Sequence, residues 1–206
     1  MVYDNADKVI VRLNKRNLRR FDKLKLAAWD ELNLVKSIKK TYKQAQDDAI
    51  REYIELGVMA YMDAMILAGV SRARAESIAR RNIDRGWVLE YLAETDPVTM
   101  YQFMTETERK AQRLTEAVEI EQARQVEIER ALRSWSRQTG QYAISIVDRA
   151  MIDGFAKAGV KKVRWNTERD ERVCEVCEEL DGQVFSVYNV PPKQHYNCRC
   201  WLTPVK

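Results

Sequence analysis

The first 56 residues of the chain contain neither glycine nor proline, and this continuity restricts what they can fold into. Apolar side chains recur in this segment at steps of three and four, which is the spacing of one face of an α-helix. We therefore expect one long helix from about Asn5, or two nearly collinear helices, packed on other helices of the chain or of a second copy. The apolar stripe consists of Leu18, Phe21, Leu24, Ala28, Leu32, Val35, Ile38, Tyr42, Ala45, Ala49 and Tyr53.

A second helix is predicted after a glycine. Gly69 fits the position that follows a helix C-terminus, where the backbone often turns left-handed. Ser71 can cap the N-terminus of the next helix, because its hydroxyl can accept a free backbone N–H. This pattern predicts a helix from Ser71 to about Ala93.

Two further helices are expected before residue 159. Asp96 and Pro97 are typical of a helix start, since proline lacks the N–H that a first-turn residue leaves unpaired. A third long helix, exposed and elongated, is predicted from there to about Ser136. Gly140 is interpreted as a joint, and a fourth helix is expected to end at Gly159.

After Gly159 the pattern changes to short strands. Residues 160–165 alternate as a half-buried strand does, residues 184–188 are strand-like, and residues 200–203 form a last short strand before Pro204. A turn is predicted at the Asp-Gly pair of residues 181–182.

All four cysteines and the single histidine lie within 27 residues at the end of the chain. Cys174 and Cys177 form a C-x2-C pair, whose sulfurs converge when the chain turns tightly. Structural zinc takes four ligands, mostly thiolate and imidazole, so two more must come from His195, Cys198 and Cys200. Spacing alone leaves that choice open. We expect a structural Zn²⁺ held by four of these five residues.

Two other interpretations of the cluster were weighed. The cysteines can form two disulfides or remain buried thiols, although a cytosolic chain favours thiols or metal. A catalytic Cys–His pair is the weakest alternative, because the cysteines are too many and too paired. We find no carboxylate pair at metal spacing, no nucleophile with an adjacent base and no Gly-rich phosphate loop. We therefore expect that the protein is not an enzyme.

Positive charge is concentrated at the start of the chain. Residues 1–45 carry 12 Lys and Arg against 5 Asp and Glu, a net +7, whereas the whole chain carries +4. A cationic helix can follow a phosphate backbone, although a solvated helix face explains the same pattern. The candidate nucleic-acid contacts are Arg12, Lys15, Arg16, Arg19, Arg20 and Lys23.

Membrane association is not expected. The most apolar stretch, residues 56–70, contains Asp63 and is shorter than a membrane span requires. The N-terminus lacks a basic segment followed by an apolar one, so we expect no secretory signal.

Three motifs occur in a fixed order near the C-terminus. They are W-N-T-E-R-D-E-R-V-C-x-x-C at residues 165–177, L-D-G-Q-V-F at 180–185 and H-x-x-C-R-C at 195–200. Over about residues 139–206 this pattern resembles the phage Mu F-like head morphogenesis family. Many members carry an Arg-Thr-Glu element in the preceding helix, whereas residues 137–141 read R-Q-T-G-Q here.

The resemblance implies a minor head (minor capsid) protein with a structural or assembly role in the procapsid near the portal. It implies a protein made in the bacterial host cytoplasm and located in the virion, inside the head. The implied partners are phage portal and capsid or scaffold proteins. Some relatives associate with packaged DNA, so phage DNA is a further expected partner. The alternative is a zinc-knuckle nucleic-acid-binding protein without a virion role.

The expected fold is mainly α, with long extended helices over residues 1–158 and a small C-terminal α+β zinc-knuckle module. Three parts are predicted: an N-terminal helical region at 1–95 that is basic at its start, long helices at 96–158, and a Mu F-like Cys/His-rich module at 159–206.

Overall fold

The computed structural model describes residues 3–27, 31–120, 124–168, 173–193, 195–196 and 198–205. Helices account for most of the described residues, which confirms the mainly α class with a small C-terminal strand region. The elements of the described residues are α1 (Asp4–Ala27), α2 (Glu31–Leu67), α3 (Arg72–Asn82), α4 (Arg85–Ala93), α5 (Phe103–Ile120), α6 (Arg124–Lys157), β1 (Lys162–Asn166), α7 (Glu175–Leu180), β2 (Val184–Ser186) and β3 (Trp201–Val205).

Helices α1 and α2 form an antiparallel pair. Arg12 lies 2.6 Å from Glu52, and Arg20, two turns further along α1, lies 2.6 Å from Asp48, which comes earlier in α2. The prediction of one helix or two nearly collinear helices is therefore wrong. Most of the apolar stripe is buried because both helices present an apolar face to one core, but Leu18 is exposed. Ala28 and the side chain of Leu32 lie outside the described part of the chain.

The second predicted helix is two helices. Gly69 follows the end of α2 with φ +93°, and Ser71 occupies the N-cap position of α3, as predicted, but its hydroxyl makes no capping hydrogen bond. Ile83 and Asp84 then take extended backbone conformations between α3 and α4. The Asp84 carboxylate accepts the N–H of Trp87 at 2.9 Å, so a new helix is capped there.

The third predicted helix starts later and ends earlier than expected. The Asp96 carboxylate accepts the N–H groups of Val98 and Thr99, at 3.0 and 2.7 Å, and the hydroxyl of Ser145 at 3.1 Å. These bonds close a turn ahead of α5. Helix α5 runs antiparallel to α6, because Lys110 donates to Ser134 and Gln138 donates to the Phe103 carbonyl. The single helix from Asp96 to Ser136 is therefore wrong.

Helix α6 lies at the centre of the fold and packs against α1, α2 and α5. It runs without a break through Gly140, and residues 138–147 are all buried. The predicted joint at Gly140 is therefore wrong. The exposure predicted up to about Ser136 agrees with the structure, since Gln112, Glu129 and many other polar residues there are exposed. The buried polar residues lie further along, where Gln138 donates to the Phe103 carbonyl at 3.3 Å.

An aromatic cluster fills the core between α2, α5 and α6. The Phe103 ring centroid lies 4.9 Å from Tyr142, 5.9 Å from Trp135 and 6.0 Å from Tyr53. Edge-on and tilted contacts of this kind are the favoured geometries for aromatic pairs. The first residue of α5 therefore fixes that helix against both long helices.

The C-terminal strands form a three-stranded antiparallel sheet in the order β2-β1-β3. Val163 pairs with Phe185, and Trp165 pairs with Leu202. The three predicted strands are confirmed with shifted ends. Strand β3 continues through Pro204, which an edge strand tolerates because one side of its backbone needs no partner.

The predicted division at residues 95 and 158 coincides with helix ends, but buried residues from all three parts share one hydrophobic cluster. The division into three parts stays a prediction. Among the described helices, none has both the length and the apolar character that a membrane span requires.

Helix α6 approaches α2 most closely at Gly154. A Cβ atom at this position would lie 2.6 Å from the carbonyl oxygen of Tyr61 and 2.9 Å from the Cβ of Ala64. Neither atom is the end of a flexible side chain. A larger residue must therefore push the two helices apart.

We expect Gly154→Ala to lower the free energy of unfolding by about 1–3 kcal/mol, the cost typical of overpacking a core. The matched control is Gly140→Ala in the same helix, where the nearest atom to a new Cβ is 3.8 Å away. That variant should be neutral or more stable by about 0.5–1 kcal/mol, because alanine favours helix more than glycine does. Urea denaturation followed by circular dichroism measures both. Equal stabilities would contradict the close approach.

Candidate metal centre

The C-x2-C pair is shaped by a short helix that the sequence patterns did not predict. Cys174 is the N-cap residue of α7, and its Sγ accepts the backbone N–H of Cys177 at 3.4 Å. An N–H directed at a sulfur stabilises negative charge on it. The first turn of α7 therefore brings both sulfurs to one side, with Cys177 buried.

The second motif meets the first at Cys177. Its Sγ lies 3.7 Å from Nε2 of His195 and 3.6 Å from Sγ of Cys198. With Zn–S near 2.3 Å and Zn–N near 2.0–2.1 Å, tetrahedral ligand atoms lie roughly 3.5–3.8 Å apart. Both distances agree with two ligands of one zinc ion.

The ligand atoms form two overlapping groups, each with all its atoms within 4.8 Å of one another. One group is Cys174, Cys177 and His195, and the other is Cys177, Cys198 and Cys200. All five predicted residues are thus brought together, with Cys177 common to both groups. Which four bind a metal, and that the metal is zinc, stay predictions.

The orientation of His195 suits a metal ligand. Its Nδ1 lies 3.0 Å from the backbone carbonyl of Tyr196, to which a protonated Nδ1 donates. In that tautomer Nε2 carries the free lone pair, and Nε2 is the nitrogen that faces Cys177. A carbonyl partner on the second ring nitrogen is the usual support of a metal-binding histidine.

The thiols influence one another's protonation. The hydrogen bond from Cys200 lowers the pKa of the Cys198 thiol, and the same bond raises the pKa of Cys200. Burial raises the pKa of Cys177. Without a cation the cluster therefore favours one thiolate among protonated neighbours. A divalent cation reverses this preference, because coordinating thiols deprotonate.

The loop that carries the second motif is fastened to the opposite end of the chain. The Tyr3 hydroxyl lies 2.6 Å from the carbonyl oxygen of Cys200 and 2.7 Å from Oδ1 of Asp148 in α6. The Lys193 ammonium donates to the Tyr3 hydroxyl at 3.1 Å and to the Cys200 carbonyl. We call Tyr3, Asp148, Lys193 and the Cys200 carbonyl the Tyr3 network.

Burial favours the uncharged forms of Tyr3 and Asp148 in this network. Desolvation raises the pKa of Tyr3, so its hydroxyl remains a donor. Desolvation also raises the pKa of Asp148 to about 6, although Lys193 opposes the shift. The network is therefore a set of hydrogen bonds inside the protein, and it ties α1, α6 and the C-terminal loop together.

Two arginines add contacts between the helices and this loop. The Arg199 guanidinium donates to Oδ1 of Asp7 at 2.8 Å, so this residue pairs with a carboxylate of α1. The Arg137 guanidinium of α6 lies 3.9 Å from the ring centroid of Tyr196. Arg137 begins the R-Q-T-G-Q stretch at residues 137–141, and it stacks on the residue next to His195.

The sequence patterns did not indicate Tyr3, Asp148 or Lys193. Tyr3 and Cys200 are 197 residues apart, and an isolated tyrosine near the N-terminus has no local signal. Two sequence features could have pointed to the other residues: Lys193 lies close to the Cys/His motif, and Asp148 is a charged residue between the apolar positions of a predicted helix. Residues 169–172 of the quoted motif lie outside the described residues.

The six candidate nucleic-acid contacts divide into two sets on α1. Arg12, Arg16 and Arg20 are ion-paired with Asp48 or Glu52 of α2. The other set, Lys15, Arg19 and Lys23, is exposed and makes no ion pair within the described part of the chain. Half of the predicted cationic surface is therefore neutralised by the fold.

The chain is similar to known proteins over the region that contains these motifs. Residues 104–203 match the family model described as phage Mu protein F like protein, which reaches further toward the N-terminus than the resemblance at about 139–206. A Haemophilus influenzae protein named "Uncharacterized protein" is 43% identical over 54 residues, which are 24% of this chain and 12% of that protein. No solved structure matches the chain significantly.

The family match covers α5, α6 and almost all of the C-terminal sheet, together with the five clustered Cys and His residues. The phage Mu protein F like family is associated with phage head morphogenesis. Residues 104–203 therefore match the phage Mu protein F like family, which confirms the resemblance seen in the C-terminal motifs.

Proposed function

We propose that this protein is a minor head (minor capsid) protein of a phage, with a structural or assembly role in the procapsid near the portal. The observation that carries the proposal is the family match over residues 104–203, which includes the Cys/His cluster. The partners in this proposal are portal and capsid or scaffold proteins, and the location is the virion, inside the head. Synthesis takes place in the host cytoplasm.

In this proposal the C-terminal module is a rigid docking element. The described residues between β2 and β3 form no helix or strand, so in this proposal side-chain contacts and metal ligands hold them. A site with four protein ligands leaves no open coordination position, which is the arrangement of structural zinc. The Cys-rich donor set fits this metal, and four of Cys174, Cys177, His195, Cys198 and Cys200 would hold it. The expectation that the protein is not an enzyme stays a prediction.

We expect the purified protein to contain about one Zn²⁺ per chain, measured by atomic mass spectrometry. Cys177 belongs to both groups of ligands, so Cys177→Ser should abolish zinc binding. The matched control is Val176→Ser at the exposed neighbouring residue, which should retain the metal. A protein without zinc whose cysteines are oxidised in pairs would contradict this prediction and favour disulfides.

Zinc removal should also loosen the start of α1. Because Tyr3 and Asp7 contact the loop at Cys200 and Arg199, a chelator that disorders this loop removes their partners. We expect faster trypsin cleavage at Lys8 after chelation, in addition to cleavage in the loop itself. Mass spectrometry of the fragments locates both cuts. Protection at Lys8 that is unchanged in zinc-free protein would show that the loop does not depend on the metal.

Contact with packaged DNA is a second candidate role, favoured by the exposed and unpaired set Lys15, Arg19 and Lys23. Cations on one helix face can each neutralise a phosphate, and released counterions supply sequence-independent affinity. The same surface is equally compatible with the alternative of a nucleic-acid-binding protein outside the virion. Detection of the protein in purified phage particles would distinguish the role in the virion from nucleic-acid binding outside it.

We expect charge reversal of Lys15, Arg19 and Lys23 to glutamate to weaken duplex DNA binding and to reduce the salt dependence by roughly 2–3 in the log–log slope. The matched control reverses three exposed lysines of α2, Lys36, Lys39 and Lys40, with the same change in net charge. Fluorescence anisotropy across a salt series measures both. Equal losses in the two triple variants would assign binding to net charge and not to α1.

The assembly role is tested in particles. When the protein is produced with the portal, capsid and scaffold proteins of its phage, we expect it in purified procapsids at low copy number, detected by mass spectrometry. Cys177→Ser should reduce its incorporation, whereas Val176→Ser should not. Absence of the wild-type protein from particles would overturn the proposed function.

A further inference from the structure

A cavity of about 180 Å³ lies between α2, α5 and α6, outside the Cys/His module. This volume is well above what one water molecule needs. Its polar lining comprises Tyr42, Lys110, Arg113, Glu127, Arg130 and Ser134, and we call it the Tyr42 cavity. Nothing in the proposed assembly role uses this site.

Tyr42 supplies a donor without a partner. The residue is only 2% exposed, and its hydroxyl has no hydrogen-bond partner among the described residues. Burial raises the pKa of this phenol, so it remains protonated and able to donate. A buried polar group without a partner is unfavourable, and it indicates a water molecule, an ion or a ligand.

The cations around the cavity outnumber the carboxylates. The Lys110 ammonium donates to the Ser134 hydroxyl at 2.5 Å and lies 3.3 Å from Glu106. Arg130 pairs with Glu127 at 2.5 Å. Arg113 is exposed at the edge of the cavity and makes no ion pair within the described ranges, so its positive charge has no carboxylate partner there.

Most of the polar groups that line the cavity are hydrogen-bond donors. Ser134 accepts from Lys110, so its own O–H is free to donate. Tyr42 on α2, Arg113 on α5 and Ser134 on α6 therefore offer donors from three helices. Burial lowers the pKa of Lys110, and the nearby arginines Arg109 and Arg113 lower it further, whereas Glu106 raises it. An added anion would relieve this repulsion.

We propose that the Tyr42 cavity binds a phosphate group. Donors arriving from three helices match an oxyanion with oxygens in several directions, and arginine pairs well with phosphate. The unpaired Arg113 supplies the charge, and the hydroxyls of Tyr42 and Ser134 supply neutral hydrogen bonds. The phosphate comes either from the free ion or from a nucleotide, since both present the same chemistry.

The test uses inorganic phosphate as the probe and the full-length protein. We expect a saturable rise in Tm with sodium phosphate that sodium chloride at equal ionic strength does not produce, and heat of binding by calorimetry. Arg113→Gln should weaken phosphate affinity at least tenfold. The matched control is Arg133→Gln, an exposed arginine of α6 that does not line the cavity, and it should bind phosphate as the wild type does.

Tyr42→Phe separates binding from folding. Because the hydroxyl has no protein partner, this variant should keep its Tm in chloride, yet its rise in Tm with phosphate should be smaller. A nucleoside triphosphate that displaces phosphate and binds more tightly identifies a nucleotide as the source, and one that does not bind identifies the free ion. No stabilisation beyond that of chloride, or unchanged affinity in both Arg113→Gln and Tyr42→Phe, overturns the proposal.

Discussion

The close approach of α6 to α2 at Gly154 is the constraint on which the rest of the structure depends. With a carbonyl oxygen and a Cβ within 3 Å of any added carbon, only glycine permits this distance between the helices. Helix α6 also contacts the aromatic core and the C-terminal loop. Its Trp135 and Tyr142 complete the aromatic cluster, while Asp148 and Arg137 reach the C-terminal loop. The position of the metal centre relative to the helices therefore follows from one packing contact.

Buried polar groups decide how the other helices meet α6. The Asp96 turn is closed partly by Ser145, and Tyr142 donates to the Tyr101 carbonyl at 2.7 Å. The Tyr53 hydroxyl donates to the Thr139 carbonyl at 2.8 Å. Each group would be costly if left unpaired in the interior, so these bonds penalise any shifted packing of α2 or α5 along α6. The buried polar residues of α6, such as Gln138 and Thr139, reflect pairing inside the protein, whereas the charged residues of its first half are largely exposed.

Local signals predicted the parts of the structure that depend on local chemistry. The left-handed glycine after α2, the three strands and the convergence of Cys174 with Cys177 each need only a few neighbouring residues. Breaks in long helices were not predictable in the same way. The interruption at Ile83 and Asp84 leaves the helical spacing almost intact, and the antiparallel turn between α1 and α2 preserves the apolar stripe. Periodicity measures which face is buried, and it carries no information about the direction in which the chain continues.

Gly140 and Gly154 illustrate the remaining limit. Both lie in the interior of one helix, and only the tertiary structure separates the position in ordinary contact from the position that permits the closest helix approach. The same holds for the metal centre, whose ligands were apparent in the sequence although their supports were not.

The C-terminal module is consequently not an independent appendage to a helical rod. Tyr3 and Asp7 from the start of α1, and Asp148 and Arg137 from α6, contact the residues on either side of the candidate ligands. A short irregular loop has too few contacts of its own to define a ligand geometry, so these long-range bonds contribute to it directly. The same bonds act in both directions, because whatever orders the loop also stabilises the first turns of α1. The exposed cations of α1 lie on the helix that contains Asp7 and begins directly after Tyr3, so the order of the metal centre and the stability of that cationic helix are physically coupled.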